Sequence, residues 1–215
     1  MIGYIVLLSL TAFFAYTVGS LGTLRLAGRF VFRQNLLRLG KGNVWLSNFR
    51  RIYGVGGFIK LLLVEAVKVL LPILVGGLLL SLKGKGEVGR AFAGFCVMMG
   101  RLWPVFNRYQ GCRGCVALAL IGLVVEPSVG LTAAGVCAAT VWFSRYISFG
   151  AFLAAAITVI TSALVVDNSL AMYLMIATAA LVLVRQLPSL RRILRGQEER
   201  LSFQTDLTYK LDSKF

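Results

Sequence analysis

The chain has 215 residues, of which 58% are hydrophobic and 14% charged, and its mean hydropathy is +0.82. A single water-soluble core could not hide that much apolar surface, so a soluble globular domain is excluded and a bilayer must serve as solvent. Lys and Arg number 23 against 8 Asp and Glu, with no histidine and a formal net charge of +15, which removes the commonest protein general base and points to anionic surroundings.

The first apolar stretch, residues 2 to 19, follows Met1 at once with Ile2-Gly3-Tyr4-Ile5. It has no basic start and no small-residue cleavage site, so it is expected to remain as a helix and not to act as a signal peptide. Next, Arg25, Arg29 and Arg33 recur every four residues among Leu24, Leu26, Phe30, Val31 and Phe32. One charged stripe on a greasy helix is the pattern of a segment lying in the membrane interface. It leads into Gly40-Lys41-Gly42-Asn43-Val44-Trp45-Leu46-Ser47-Asn48-Phe49-Arg50-Arg51. There glycines allow close backbone approach, and free N–H groups beside Lys, Asn, Ser and Arg donors make a place for phosphate oxygens. A flexible linker whose arginines only fix topology would have a similar sequence.

Further apolar stretches at about 58 to 82, 88 to 107, 115 to 125, 129 to 143, 148 to 166 and 169 to 184 bring the candidate crossings to seven. Several fall short of the roughly 20 residues that span hydrocarbon, and residues 115 to 143, interrupted at Glu126-Pro127, read as two short crossings or a tight helical hairpin. Glu65 and Lys68 lie three apart on one helical face and read as a structural ion pair. The segment from Gly100 to Ala117 holds Arg101, Trp103-Pro104, Arg108 and Gly111-Cys112-Arg113-Gly114 just before a helix start, where unsatisfied N–H groups favour an anion and Arg113 can add a bidentate contact. Ser144-Arg145-Tyr146 is so short a connection that Arg145 has little freedom to snorkel, which favours a functional use.

Cys96, Cys112, Cys115 and Cys137 give no disulfide framework, since two lie in spans and two in a gap read as cytoplasmic, where thiols stay reduced. Cys112-x-x-Cys115 is half a zinc site without histidine or a second cysteine pair, so no metal is expected. Basic residues concentrate in the gaps after the first, third, fifth and seventh stretches, whereas the opposite gaps hold only Lys83, Lys85, Glu87, Glu126 and Asp167. The positive-inside rule then puts the N-terminus outside and the C-terminus in the cytoplasm of a multi-pass plasma (inner) membrane protein. Anionic head groups account for most of the charge, and nucleic acid is not an expected partner.

In order and content the three basic gaps resemble the bacterial acyl-phosphate:glycerol-3-phosphate acyltransferases, the PlsY family. Gly40, Gly42, Asn43, Asn48 and Arg51 match its first motif, with Ser47 in the place of a Thr. Gly100, Pro104, Val105, Phe106, Gly111, Gly114, Val116 and Ala117 match the second; Ser144, Arg145, Tyr146, Ser148 and Gly150 match the third. The resemblance extends to Gly19-Ser20, to Glu65 and Lys68, and to the end from Arg191 to Glu198. It departs at Lys41 (for Ser), Arg101 (for His), Arg113 (for Lys), Cys112 and Cys115 (for Gly and Val), and Gln186 and Ser189 (for His and Asn).

The resemblance and the hydropathy together imply an all-α, polytopic integral membrane protein of about seven transmembrane helices with cytoplasmic motif loops. Residues 1–196 would form the acyltransferase-like domain and 197–215 a cytoplasmic tail. The implied reaction moves an acyl group from acyl phosphate to glycerol 3-phosphate, giving lysophosphatidic acid without cofactor or metal, with a donor phosphate oxygen taking the proton. The implied phosphate-binding set is Lys41, Asn43, Ser47, Asn48, Arg51, Arg101, Gly111, Gly114, Ser144 and Arg145, with Gln186, Ser189 and Arg113 at the reacting atoms. Loss of the His and Asn keeps open a non-catalytic family member that binds a phosphate-bearing lipid or metabolite, or a membrane-complex subunit. A transporter fits less well, because no internal repeat is visible.

The charge alternation has a direct test. In intact cells an impermeant thiol reagent should label a single-cysteine probe made by Asn168→Cys and miss those made by Asn48→Cys and Ser213→Cys; the reverse pattern would overturn the topology.

Overall fold

The computed structural model describes residues 2–33, 46–107 and 114–196, with backbone only over 46–53. Every element among them is helical: α1 Ile2–Ser20, α2 Thr23–Ala27 with a π turn Gly28–Phe32, α3 Leu46–Ser81, α4 Gly86–Leu102 with a 3-10 turn Val105–Asn107, α5 Cys115–Val125, α6 Pro127–Ser144, α7 Ile147–Val165 and α8 Ser169–Leu194. Each apolar stretch of the sequence has become one helix. Helices satisfy their own backbone hydrogen bonds, which is what a segment in hydrocarbon requires.

Among the described residues, four helices are both long and apolar enough to cross a membrane, over Gly3–Ser20, Pro127–Ser144, Ile147–Val165 and Ser169–Ile193, and Cys115–Val125 is apolar but short. The outer faces carry large apolar side chains, among them Phe143 at 86%, Leu164 at 79% and Phe13 at 73% exposure. Such a surface is stable only against lipid. The hairpin expected at Glu126-Pro127 is present. Glu126 is extended (φ −145°, ψ 108°) and Pro127 opens α6 in its first turn, where its missing N–H costs nothing.

Two elements run further than the hydropathy indicated. α3 begins at Leu46 and breaks at Gly54 (φ 68°, ψ −168°), a backbone that glycine tolerates. The last basic gap is no loop, because α8 continues through Pro188 to Leu194. Its buried stripe, Ala171, Met175, Ala179, Val182, Gln186 and Ser189, keeps helical spacing past the proline, and packing on that face holds the turn together.

α4 is the central helix and packs on α1, α3, α5 and α8. Several of the crossings are glycine contacts. A Cβ on Gly100 would meet the Tyr16 carbonyl at 2.3 Å, one on Gly19 the Val97 carbonyl at 2.5 Å, and one on Gly89 the Gly76 carbonyl at 2.6 Å. α5 and α6 touch likewise, a Cβ on Gly130 lying 2.2 Å from the Leu123 nitrogen. In hydrocarbon, helices associate through such close backbone packing. The contacts also fix direction, with the α1 and α4 C-termini together and the α5 start against the end of α4. One end of the bundle thus gathers Ser20, Thr23, Leu102–Phe106, Gly114, Ser144–Tyr146 and the end of α8. At the opposite end Lys85 lies over the Tyr4 ring, and Asn168 caps α8 by accepting from the Leu170 and Ala171 N–H groups.

Gly100→Ala should lower stability by about 1 to 3 kcal/mol through overpacking. Gly135→Ala, whose Cβ meets nothing within 4 Å, should be neutral or slightly stabilising. Thermal unfolding in detergent micelles compares the two, and equal midpoints would show that the α1–α4 crossing is loose.

Candidate functional site

Three of the expected site features meet at the basic end of the bundle. Gly114 takes a left-handed conformation (φ 77°, ψ −1°) to turn the second motif into α5 and is buried. A Cβ there would meet Met98 Sδ at 3.1 Å, Val182 Cγ2 at 3.5 Å and Leu102 Cδ2 at 3.6 Å, so the turn is wedged between α4 and α8. Val182 is one turn before Gln186 on the buried face of α8. Gln186 is fully buried and Ser189 is 7% exposed, which places both polar side chains in the interior and not towards lipid.

The third motif joins α6 to α7 through Arg145, which is itself left-handed (φ 59°, ψ 14°). Ser144 Oγ donates to the Thr140 carbonyl at 2.6 Å and accepts from the Tyr146 N–H at 3.3 Å, so the hydroxyl is spent in shaping the turn. A β-carbon is strained in this conformation by about 1 kcal/mol, and such strain persists where the surroundings impose it. Arg145 is exposed, whereas Ser148 is buried one turn into α7.

Arg101 is placed otherwise than the sequence suggested. Its side chain is 5% exposed and forms a buried ion pair with Glu65. Thr23 Oγ1 donates to the other Glu65 carboxylate oxygen, and Lys68 Nζ donates to Thr23 Oγ1 at 3.3 Å. Glu65 and Lys68 therefore belong to a cluster joining α2, α3 and α4, larger than the two-residue pair expected. Arg101 is held in the interior beside the Glu65 carboxylate.

Just beyond Arg101 the chain is held by Tyr16, which sequence reasoning did not single out, and by Arg25, which it read only as part of an interfacial charged stripe. Tyr16 OH donates to the Trp103 carbonyl at 3.0 Å, and Arg25 Nη1 donates to the Phe106 carbonyl at 2.8 Å. α1 and α2 thus clasp the start of the second motif at both ends of Trp103-Pro104-Val105-Phe106. Only Gly19-Ser20 in the motif resemblance hinted that this region matters. Lys41, Asn43, Gly111 and Arg113 lie outside the described residues, as does the tail 197–215; Ser47, Asn48 and Arg51 fall in the first turns of α3, where backbone alone is described.

Beside this end lies an apolar cavity of about 450 Å³. α3 contributes Phe58 and Leu62, α5 the face from Cys115 to Leu123, α6 the face from Gly130 to Val141, and α7 Ile147. It follows α5 from its first residue to Leu123, about 12 Å at 1.5 Å per residue.

Residues 9–196 match the family model described as glycerol-3-phosphate acyltransferase. Among similar proteins, glycerol-3-phosphate acyltransferase 2 of Moorella thermoacetica is 32% identical over 87% of this chain and 94% of its own. The enzymes of Anaeromyxobacter sp. and Thermoanaerobacter pseudethanolicus are 29% and 23% identical, covering 86% and 92% of this chain and 92% and 98% of their own. The fold is similar to that of PlsY, an integral membrane glycerol 3-phosphate acyltransferase solved in its glycerol 3-phosphate form, with a TM-score of 0.75, 22% identity, and 97% and 98% of the two chains covered. The lysophosphatidic acid form gives a TM-score of 0.74 at 23% identity, covering 90% of this chain and 94% of that one.

Removing one partner of the buried pair leaves the other charge uncompensated. Glu65→Gln should destabilise by about 3 kcal/mol or more, and Glu65→Gln with Arg101→Gln by less than the sum of the single changes. A thermal-unfolding double-mutant cycle reads this, and strict additivity would mean that the two side chains do not interact.

Proposed function

The chain belongs to the glycerol-3-phosphate acyltransferase family, and from that membership we propose that it transfers an acyl group from acyl phosphate to glycerol 3-phosphate, releasing lysophosphatidic acid and phosphate. The observation that carries this reading is the meeting of two environments. The motif turns at Gly114 and Arg145 and the buried Gln186 stand at one end of the bundle, and an apolar groove starts beside them at Cys115 and Ile147. A phospho-acyl donor has the same division, with a charged head and a hydrocarbon tail.

The acyl chain lies in the groove with its carbonyl at the Cys115 end. Arg51, Arg113 and Arg145 grip the two phosphates, supported by Lys41, Asn43, Ser47, Asn48 and backbone N–H groups at Gly111 and Gly114, while Ser144 shapes the turn that carries Arg145. The glycerol hydroxyl oxygen attacks the acyl carbonyl, a phosphate oxygen of the donor takes the hydroxyl proton, and the acyl–phosphate bond breaks. No protein base is required, in keeping with the absence of histidine. Gln186 and Ser189 donate hydrogen bonds that orient the donor. Arg101 acts at one remove, holding the start of the second motif through Glu65. Seven crossings, an outer N-terminus and a cytoplasmic C-terminus place the site on the cytoplasmic face of the inner membrane, where the basic gaps gather.

Gln186 and Ser189 in the places of His and Asn favour one other reading, a binder that has lost turnover. The deciding assay supplies purified protein with acyl phosphate and radiolabelled glycerol 3-phosphate. The parent should make lysophosphatidic acid, and Gln186→Ala should be slower. Arg145→Gly should fold at least as well, because glycine relieves the left-handed strain, yet should bind phosphate ligands about tenfold or more weakly. Gln186→His with Ser189→Asn should be tolerated. A folded parent that binds both substrates and transfers nothing would leave the binder.

A further inference from the structure

Cys115 opens α5 and Cys137 sits in the second half of α6; each lies seven residues, about two helical turns, from the close contact of Gly122 with Gly130, so the two cysteines stand opposite each other across the antiparallel helix pair. Both are free and half-buried, and both line the apolar groove. α7 leaves room for them, since a Cβ on Gly150 would come within 3.5 Å of the Cys137 sulfur and 3.0 Å of its carbonyl. Cys115 also directly follows Gly114, the buried left-handed turn that ends the second motif. Any change in how Cys115 is tied to α6 is therefore felt at both the groove and the motif.

We infer that Cys115 and Cys137 form an oxidisable dithiol in the groove wall, that its oxidant is a lipid-soluble quinone, and that the disulfide shuts the groove to an acyl chain. The inference rests on the groove being the acyl site. Both S–H bonds break, one S–S bond forms, and two electrons and two protons pass to the quinone, which becomes a quinol. A neutral, membrane-soluble oxidant suits the position, because the thiols face an apolar cavity that charged oxidants do not enter. Bridging fixes the sulfurs about 2.05 Å apart. That pulls the first turn of α5 onto α6 across the mouth of the groove and carries Gly114 with it. Cys96 is packed in the apolar core and takes no part.

The test uses the full-length protein in phosphatidylethanolamine–phosphatidylglycerol vesicles, treated with a fully substituted benzoquinone, which cannot add to thiols, and then alkylated, digested and analysed by mass spectrometry. A Cys115–Cys137 linked peptide is expected. Oxidation should weaken binding of a fluorescent acyl chain and slow acyl transfer by about tenfold or more, with dithiothreitol restoring both. Cys115→Val and Cys137→Ala, each compared with its own reduced form, should lose this sensitivity. Absence of the linked peptide, a Cys112–Cys115 link in its place, or unchanged acyl-chain binding by the linked protein would overturn the inference. If the reduced parent transfers no acyl group, the linked peptide and the acyl-chain binding still decide the matter, so failure of the enzyme reading is separately visible.

Discussion

In hydrocarbon, hiding one more leucine between helices gains little, because lipid is already apolar. What remains is close contact between backbones, and here glycine supplies it at three of the main crossings: Gly19 and Gly100 between α1 and α4, Gly76 and Gly89 between α3 and α4, Gly122 and Gly130 between α5 and α6. The contacts leave room for little more than a hydrogen at these positions. They also fix depth, so that Arg101, one residue beyond Gly100, and Glu65 on α3 arrive at the same level. The ionic chemistry of the basic end thus depends on a set of residues that carry no chemistry.

The cluster of Glu65, Arg101, Thr23 and Lys68 would be costly in such surroundings if any member stood alone. Its location explains why it is kept. Arg101 is two residues before Trp103, whose carbonyl is held by Tyr16, and five before Phe106, whose carbonyl is held by Arg25. A buried charge pair has a narrow choice of geometries, and here it fixes the end of α4 from which the second motif departs. Specific positioning, more than net stability, is what the pair contributes.

The sequence made the helices legible because hydropathy and charge alternate over long stretches, and the kink at Glu126-Pro127 announced itself through proline. Helix ends were less legible. α3 starts at Leu46, well before its apolar stretch, and the continuation of α8 past Pro188 depends on tertiary packing, as the buried Gln186 and Ser189 show, which no local pattern encodes. Charges in the gaps read alike in sequence, although Arg145 ends exposed on a left-handed turn and Arg101 ends buried against Glu65. Tyr16 and Thr23 were missed, and Arg25 was read only as part of an interfacial stripe, because their partners are two backbone carbonyls and a carboxylate, each at least forty residues away. Cys115 and Cys137 were each read singly, as a thiol within a span or a gap; the fold makes them a pair.

The two left-handed turns differ in a way that bears on function. At Gly114 the conformation is free of strain and the space is closed, so glycine is required twice over. At Arg145 a glycine would fit the backbone better, and the chain carries an arginine there despite the strain. Local stability does not account for that choice, whereas a guanidinium fixed at the end of α6 does. In the transfer proposed above, which uses no histidine, the chain's part is to place charges and exclude water, and a cation held on a strained turn suits that part. Under the same proposal the buried Gln186 and Ser189 need no titratable group, since their part is to orient a donor that brings its own base.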